Sequence, residues 1–296
     1  MVNPGFIYKG MPPPAILCIC YAAAAGYLAS EEHHLWALAL SWPAVLYGLV
    51  TFAYIYSGRF GALLLNKNTG EAEKKCPKAW RSTGCIPMSR LLVFLPYLLT
   101  SWLTWWLRHV FMLSHEDSYN LVAPGVYLGR YPLWLPWRRG DVSAPLPACK
   151  VAVVDLCAEF PALPWVVAQA EGRYFCLPCL DGDMPEDKQA LLRVAREVAS
   201  WDTSQPVYVH CANGRGRSLC FAALVLVLRN GGPTTVDDAI ASIKRQRPQV
   251  NAQRPQRDLV AEVLRMHNMA GDVELSQRLI GLPGRTGSPA AGVLKE

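Results

Sequence analysis

Pro206-Val-Tyr-Val-His-Cys-Ala-Asn-Gly-Arg-Gly-Arg-Ser218 is the stretch on which the reading of this 296-residue chain turns. Pro206 to Val209 has the apolar, β-branched character of a short buried strand, and Leu219 to Leu228 is apolar on every side, as a buried helix is. His210 to Ser218 therefore joins a strand end to a helix start. Successive backbone N–H groups in such a loop form an anion-binding concavity, and the positive end of the helix dipole favours a dianion there. Gly214 and Gly216 allow the backbone to curl, so that Ala212, Asn213, Gly214, Arg215 and Gly216 wrap the anion. Arg217 follows Cys211 by six residues and brings a planar fork suited to two phosphate oxygens beside the thiol. A helix start and cationic neighbours favour the thiolate, which is the nucleophilic form of cysteine. Cys211 is thus expected to attack phosphorus in line and give a phosphocysteine that water hydrolyses, with Arg217 and the loop amides holding the equatorial oxygens. The scheme calls for no metal and no cofactor.

His210-Cys211, five residues, then Arg217-Ser218 resembles the signature of the protein tyrosine phosphatase superfamily, and the surrounding chain is similar to its dual-specificity branch over residues 118 to 268. Asn120-Leu-Val-Ala-Pro-Gly-Val-Tyr-Leu-Gly129 resembles the opening strands of that branch, and Arg245-Gln-Arg-Pro248 the segment behind the active site. The resemblance implies that Cys211 is the nucleophile, Arg217 the phosphate binder, Ser218 a hydroxyl that stabilises the departing thiolate, and His210 a support behind the loop. It also implies a general-acid aspartate on a separate loop. Leu177-Pro178 followed by Asp181 matches the branch's pattern and makes Asp181 the preferred acid. Asp183 remains the alternative, although with Pro185 and Glu186 it also reads as a capping box for the next helix.

Upstream, the chain changes character. Ala15 to Ser30 is apolar but short, whereas Leu35 to Gly58 carries no charged residue and is long enough to span a bilayer. Leu91 to Leu107 is also uncharged, lies between Arg90 and Arg108, and contains Pro96 with Trp102, Trp105 and Trp106. It reads as a segment that crosses, re-enters or lies among headgroups, or else as a core helix of a soluble domain. Lys67, Lys74, Lys75, Lys78 and Arg81 make the stretch 59–90 basic, while Glu31 to His34 has no Lys or Arg, which places the basic loop on the cytoplasmic side and against anionic lipid. A catalytic thiol needs a reducing compartment, so the expectation is an integral membrane protein with a cytoplasmic catalytic domain. A signal peptide within the first thirty residues is the weaker reading, because Lys9 is the only early basic charge.

Ten cysteines show no disulfide framework, and Cys76 with Cys85 lacks a second pair at zinc spacing. Cys176-x-x-Cys179 lies on an extended run and reads as packing. The net charge of +6 sits largely in the basic loop, and nothing resembles a nucleic-acid-binding module. The organisation expected is a membrane-embedded helical region over 1–114 with a basic loop at 59–90, a catalytic domain over 115–269, and a flexible tail over 270–296. Strands at 150–156 and 174–180 alternate with helices at 164–171, 186–201, 235–246 and 255–266. That alternation implies an α/β fold, a mostly parallel central sheet flanked by helices and preceded by an α-helical transmembrane region. Phosphoprotein and phospholipid (phosphoinositide or phosphatidylglycerophosphate) both stand as substrates: the dual-specificity likeness favours the first, and the membrane region with Arg215 the second. An inactive phosphate-binding adaptor is disfavoured because Cys211, Arg217, Ser218 and an upstream aspartate are all present.

Overall fold

The computed structural model describes residues 13–56, 65, 67, 84–112, 116–133, 151–229 and 232–279. Most of the basic loop, the proline-rich stretch after Leu133 and the last residues, 280–296, lie outside the described residues.

Five strands form one sheet. They are β1 (Tyr119–Ala123), β2 (Val126–Gly129), β3 (Ala152–Cys157), β4 (Tyr174–Cys179) and β5 (Val207–His210), in the spatial order β1-β2-β5-β3-β4. β1 and β2 form an antiparallel hairpin, and the pairs β2–β5, β5–β3 and β3–β4 are parallel. The mostly parallel α/β sheet expected from the alternation is therefore present. Parallel strands with both faces covered read as continuous apolar runs, and the residues of β3 and β5 are all buried.

Helix α7 (Arg217–Leu228) starts at the end of the cysteine loop and packs between α6 (Lys188–Ser200), α8 (Val236–Gln246) and α9 (Arg254–Leu279) and against β2 and β5. This explains its unbroken apolar sequence: Leu219 to Val225 have no solvent-exposed surface, so a polar face would have nowhere to go. On the other face of the sheet, Val166 and Ala170 at α5 (Pro164–Gln169) pack with Val151, Val153 and Tyr208. α6 begins at Lys188 with Asp187 as its N-cap, the side chain accepting from Ala190 N at 2.9 Å. The capping role considered for Asp183 is thus taken by Asp187, whose carboxylate reaches the free amides of the first turn. α9 runs through Gly271 to Leu279, beyond the point where the apolar spacing fades.

The upstream helices are α1 (Pro13–Ser30), α2 (His34–Tyr56), α3 (Met88–Val93) and α4 (Leu95–Leu107), the last continuing as a π-type turn over Arg108–Met112. α1 and α2 form an antiparallel hairpin closed at Glu31 to His33, with Glu32 in the left-handed region at φ 63°. Among the described residues one helical stretch, His34–Phe52, is long and apolar enough to cross a membrane, with a mean hydropathy of 1.6. α2 meets α4 through Tyr47, whose hydroxyl donates to Thr100 Oγ1 at 2.7 Å and whose ring stacks on Tyr21.

α4 has two faces. Leu99, Leu103 and Leu107 are exposed along one side, and Leu92 of α3 and Phe111 of the π-type turn are exposed as well. Leu98 and Trp105 are buried along the other, and Trp105 belongs to the same core as the sheet. The core-helix reading of the stretch from Leu91 therefore holds for this inner face.

Candidate active site

The cysteine loop leaves the carboxyl end of β5, which is flanked by β2 and β3 near the middle of the sheet. Its carbonyls are tied outward into the protein. Ala212 O accepts from Tyr131 N at 3.1 Å and from Trp105 Nε1 at 2.7 Å, Gly214 O accepts from Arg247 Nε at 3.0 Å, and Arg215 O accepts from Asn251 N at 3.1 Å. No peptide bond among the described residues is cis, and across a trans peptide the C=O and N–H point in opposite directions. The amides of Asn213, Arg215 and Gly216 are consequently turned toward the inside of the loop. Gly214 adopts φ +64°, and a Cβ there would lie 2.4 Å from the backbone of Gly129, so only glycine fits. Gly216 has an ordinary φ of −104°, and its constraint is instead the Gln256 side chain pressed against it.

Cys211 lies at the base of this concavity, 2% exposed, with Sγ 3.3 Å from Ser218 Oγ. The other core thiols are engaged in packing: burial pushes Cys176 and Cys220 up to about 12 and holds Cys157 and Cys179 well above the usual thiol range. Cys176 and Cys179 do not pair as a redox couple; Cys179 Sγ donates to Leu156 O at 3.3 Å.

Arg217 is fully buried and clamped. Glu159, two residues beyond β3, receives both ends of its fork, with Nη2 to Oε1 at 2.6 Å and Nη1 to Oε2 at 2.9 Å; Nη1 also donates to Cys179 O at 2.8 Å. Burial alone would lower the guanidinium's basicity, but the Glu159 and Asp181 carboxylates outweigh it and hold Arg217 well above its ordinary range. Nε has no hydrogen-bond partner among the described residues. A buried cationic donor left unmade is costly, and an anion within the loop would satisfy it. The sequence reading missed Glu159; its signal was a carboxylate just past the carboxyl end of a buried parallel strand, the edge where α/β sheets collect their ligands.

Asp181 and Asp183 follow β4 but point to different places. Asp181 Oδ1 is 3.3 Å from Arg217 Nη2, and its side chain is 66% exposed, so it stands at the solvent side of the arginine. Asp183 Oδ1 accepts from the amide of Met184 at 2.9 Å, and its carbonyl accepts from Gln256 Nε2 at 3.1 Å. Arg215 is turned away from the loop centre and pairs with Glu116. The extra cationic charge that favoured a lipid headgroup is therefore neutralised by a carboxylate.

Behind the loop lies a second buried set. Lys67 Nζ donates to Asp155 Oδ2 at 2.5 Å and to Cys157 O at 2.7 Å, and the Tyr174 hydroxyl donates to the same carboxylate oxygen at 2.7 Å. The sequence places Lys67 with the basic loop against anionic lipid, but its side chain has no exposed surface and pairs with Asp155 of β3 instead. Asp155, Cys157 and His210 offer atoms within 4.8 Å of one another, a grouping that suits a metal ion. Lys67 already brings the cation to that carboxylate. His210 Nε2 is 3.8 Å from Asp155 Oδ1, and burial drives the ring's pKa down to about 4, so His210 is neutral at pH 7.

Residues 178–264 match the family model described as protein-tyrosine phosphatase, a span that contains the whole loop and both aspartates. The match, with a cysteine, an inward-facing amide loop and a clamped arginine in one strand-to-helix segment, supports a cysteine-based phosphatase centre. No curated protein matches the chain in sequence. Among solved structures, the chain is similar to Tk-PTP in the active form at 21% identity, covering 50% of this chain and 97% of that one with a TM-score of 0.37. It is similar to PTPMT1 in complex with PI(5)P at 20% identity, covering 52% and 99% with a TM-score of 0.41. Human DUSP28 aligns at 19% identity over 50% of this chain and 93% of that chain, with a TM-score of 0.38.

Proposed function

We propose that this chain is a membrane-anchored phosphatase that hydrolyses phosphomonoesters of protein side chains through a phosphocysteine intermediate. The observation that carries the reading is Arg217, six residues after Cys211 at the end of the same loop, buried, aligned by Glu159 and left with one unpartnered donor among the described residues. In the first step the Cys211 sulfur forms a bond to phosphorus while the ester P–O bond breaks, and Asp181 gives its proton to the departing oxygen. In the second, water attacks phosphorus, the P–S bond breaks, Asp181 takes the water's proton and the Ser218 hydroxyl donates to the departing thiolate. The loop amides and Arg217 hold the equatorial oxygens throughout. The anchor is α2, helped by α1, with the catalytic domain on the cytoplasmic side.

A phospholipid phosphomonoester is the second reading. The exposed apolar side of α4, whose inner side carries the loop, favours it. The Arg215–Glu116 pair weighs against it, because the residue best placed to add charge for a headgroup is already paired.

The test uses the full chain. Phosphate release is compared on a phosphotyrosyl peptide, a phosphothreonyl peptide, and vesicles carrying phosphatidylglycerophosphate or phosphoinositides, with Cys211→Ser as control. Release from the peptides that Cys211→Ser abolishes is the expected result. Preference for the vesicles selects the lipid reading, and a Cys211→Ser protein as active as the native one ends the thiolate mechanism.

The acid assignment has its own test. Asp181→Ala is expected to lower turnover of a phenyl phosphate ester by about 100-fold, as loss of a general acid does, and Asp183→Ala by far less. Turnover measured across pH checks this, and the reverse ranking would pass the role to Asp183.

A further inference from the structure

We propose that α4 is a component of the phosphatase centre, and that Trp102 and Trp105 are positioning residues for its two anion-binding parts. The proposal rests on the thiolate reading above. The two indoles lie three residues apart on one helix and point to the same side. Trp105 Nε1 donates to Ala212 O at 2.7 Å, the carbonyl of the peptide whose N–H, on Asn213, faces into the loop. Trp102 Nε1 donates to Glu159 O at 2.8 Å, and Glu159 is the residue that aligns Arg217. One helix thus fixes both the amide concavity and the arginine clamp, although it precedes the sheet in sequence and is separated from the loop by about a hundred residues.

The packing makes the arrangement rigid. The Trp105 ring is 5% exposed, stacks on His109 at 4.2 Å between centroids, and meets Tyr131 and Phe160 edge-on at 5.9 and 5.6 Å. Tyr131 and Phe160 in turn flank the two strand ends, and Tyr131 N is the second donor to Ala212 O. A peptide held from two directions cannot rotate without breaking one bond, so the direction of the Asn213 N–H is set by Trp105 and Tyr131 together. The role is positional, because neither indole is placed on the reacting atoms.

Trp105→Phe keeps an aromatic ring against Tyr131 and Phe160 and deletes only the N–H donor; Trp102→Phe does the same at Glu159. In the full chain, Trp105→Phe is expected to lower kcat on p-nitrophenyl phosphate roughly tenfold and to weaken competitive inhibition by inorganic phosphate several-fold, about the net worth of one hydrogen bond. Trp102→Phe is expected to shift the same two quantities less. The double variant should fall short of the product of the singles, because both act on one anion site. Leu103→Gln, on the exposed side of α4, serves as the control with unchanged kcat and phosphate inhibition. If Trp105→Phe fails to fold, Trp102→Phe carries the test through Glu159. Variants that lose thermal stability while kcat and phosphate inhibition of the folded protein stay native overturn the proposal. Cys211→Ser run beside them separates the cases: if it retains activity the thiolate reading has failed, and if it is inactive while both tryptophan variants match the native protein, only the positioning role has failed.

Discussion

Arg217→Lys is expected to lower turnover of a phenyl phosphate ester by about three orders of magnitude while the protein stays folded. The charge is conserved, so the loss isolates geometry. In the native protein both terminal nitrogens bind the Glu159 carboxylate, which fixes the guanidinium plane and leaves Nε buried without a partner among the described residues. A lysine ammonium is a point charge on a flexible stem. It can satisfy Glu159 or an equatorial phosphate oxygen, but it cannot present a second, aligned donor to the transition state. The interaction lost grows as charge spreads over the equatorial oxygens, so the effect should fall on kcat more than on KM. Steady-state kinetics of the full-length variant check this. A kcat within tenfold of the native value would mean that the loop amides alone carry the stabilisation.

The parts of this centre differ in how plainly they were written in the chain. The cysteine loop was legible because strand, glycines, thiol and arginine are contiguous, and local sequence specifies local backbone. The sheet was legible for a related reason: apart from Asp155 and His210, β3 and β5 are runs of apolar and aromatic residues and are buried at every position, as strands covered on both faces are. Glu159, Lys67 and the two tryptophans were not legible, because each acts across a long sequence separation. Lys67 meets Asp155 from 88 residues away, and nothing in the sequence distinguishes it from the other lysines of the same basic stretch. For Trp102 and Trp105 the sequence leaves a membrane segment and a core helix both open, because an uncharged, tryptophan-rich run has the composition of either. The distinction lay in the helical phase, with Leu98 and Trp105 on the inner side and Leu99, Leu103 and Leu107 on the outer, and mean hydropathy averages that phase away. Asp183 was credited with a cap that Asp187 makes, since four residues of turn intervene between the aspartate and the helix.

Lys67→Met is expected to destabilise the fold by about 3–5 kcal/mol at pH 7, because it leaves the Asp155 carboxylate buried and unpaired. Methionine has nearly the volume of the lysine stem, so little of the loss is a cavity. The pH dependence identifies the cause. In the native protein burial would raise the Asp155 carboxyl, but the Lys67 ammonium outweighs it and holds the group below the usual carboxylate range. Removing the ammonium raises Asp155, and the variant regains part of its stability as falling pH protonates that carboxylate. The native protein moves the other way. His210 is held down at about 4 against about 6.5 in an unfolded chain. Its contribution is therefore full above pH 6.5 and is lost as pH falls toward 4, since the unfolded state takes up the proton first. Lys67 is itself one of the charges that keep His210 neutral, so the variant's His210 titrates higher and loses less over the same window. The stability gap between native and Lys67→Met proteins should be widest near pH 7 and narrow steadily toward pH 4. Denaturant unfolding at several pH values measures it, and a gap that stays constant over this range would show that the cost comes from packing and not from the buried charge.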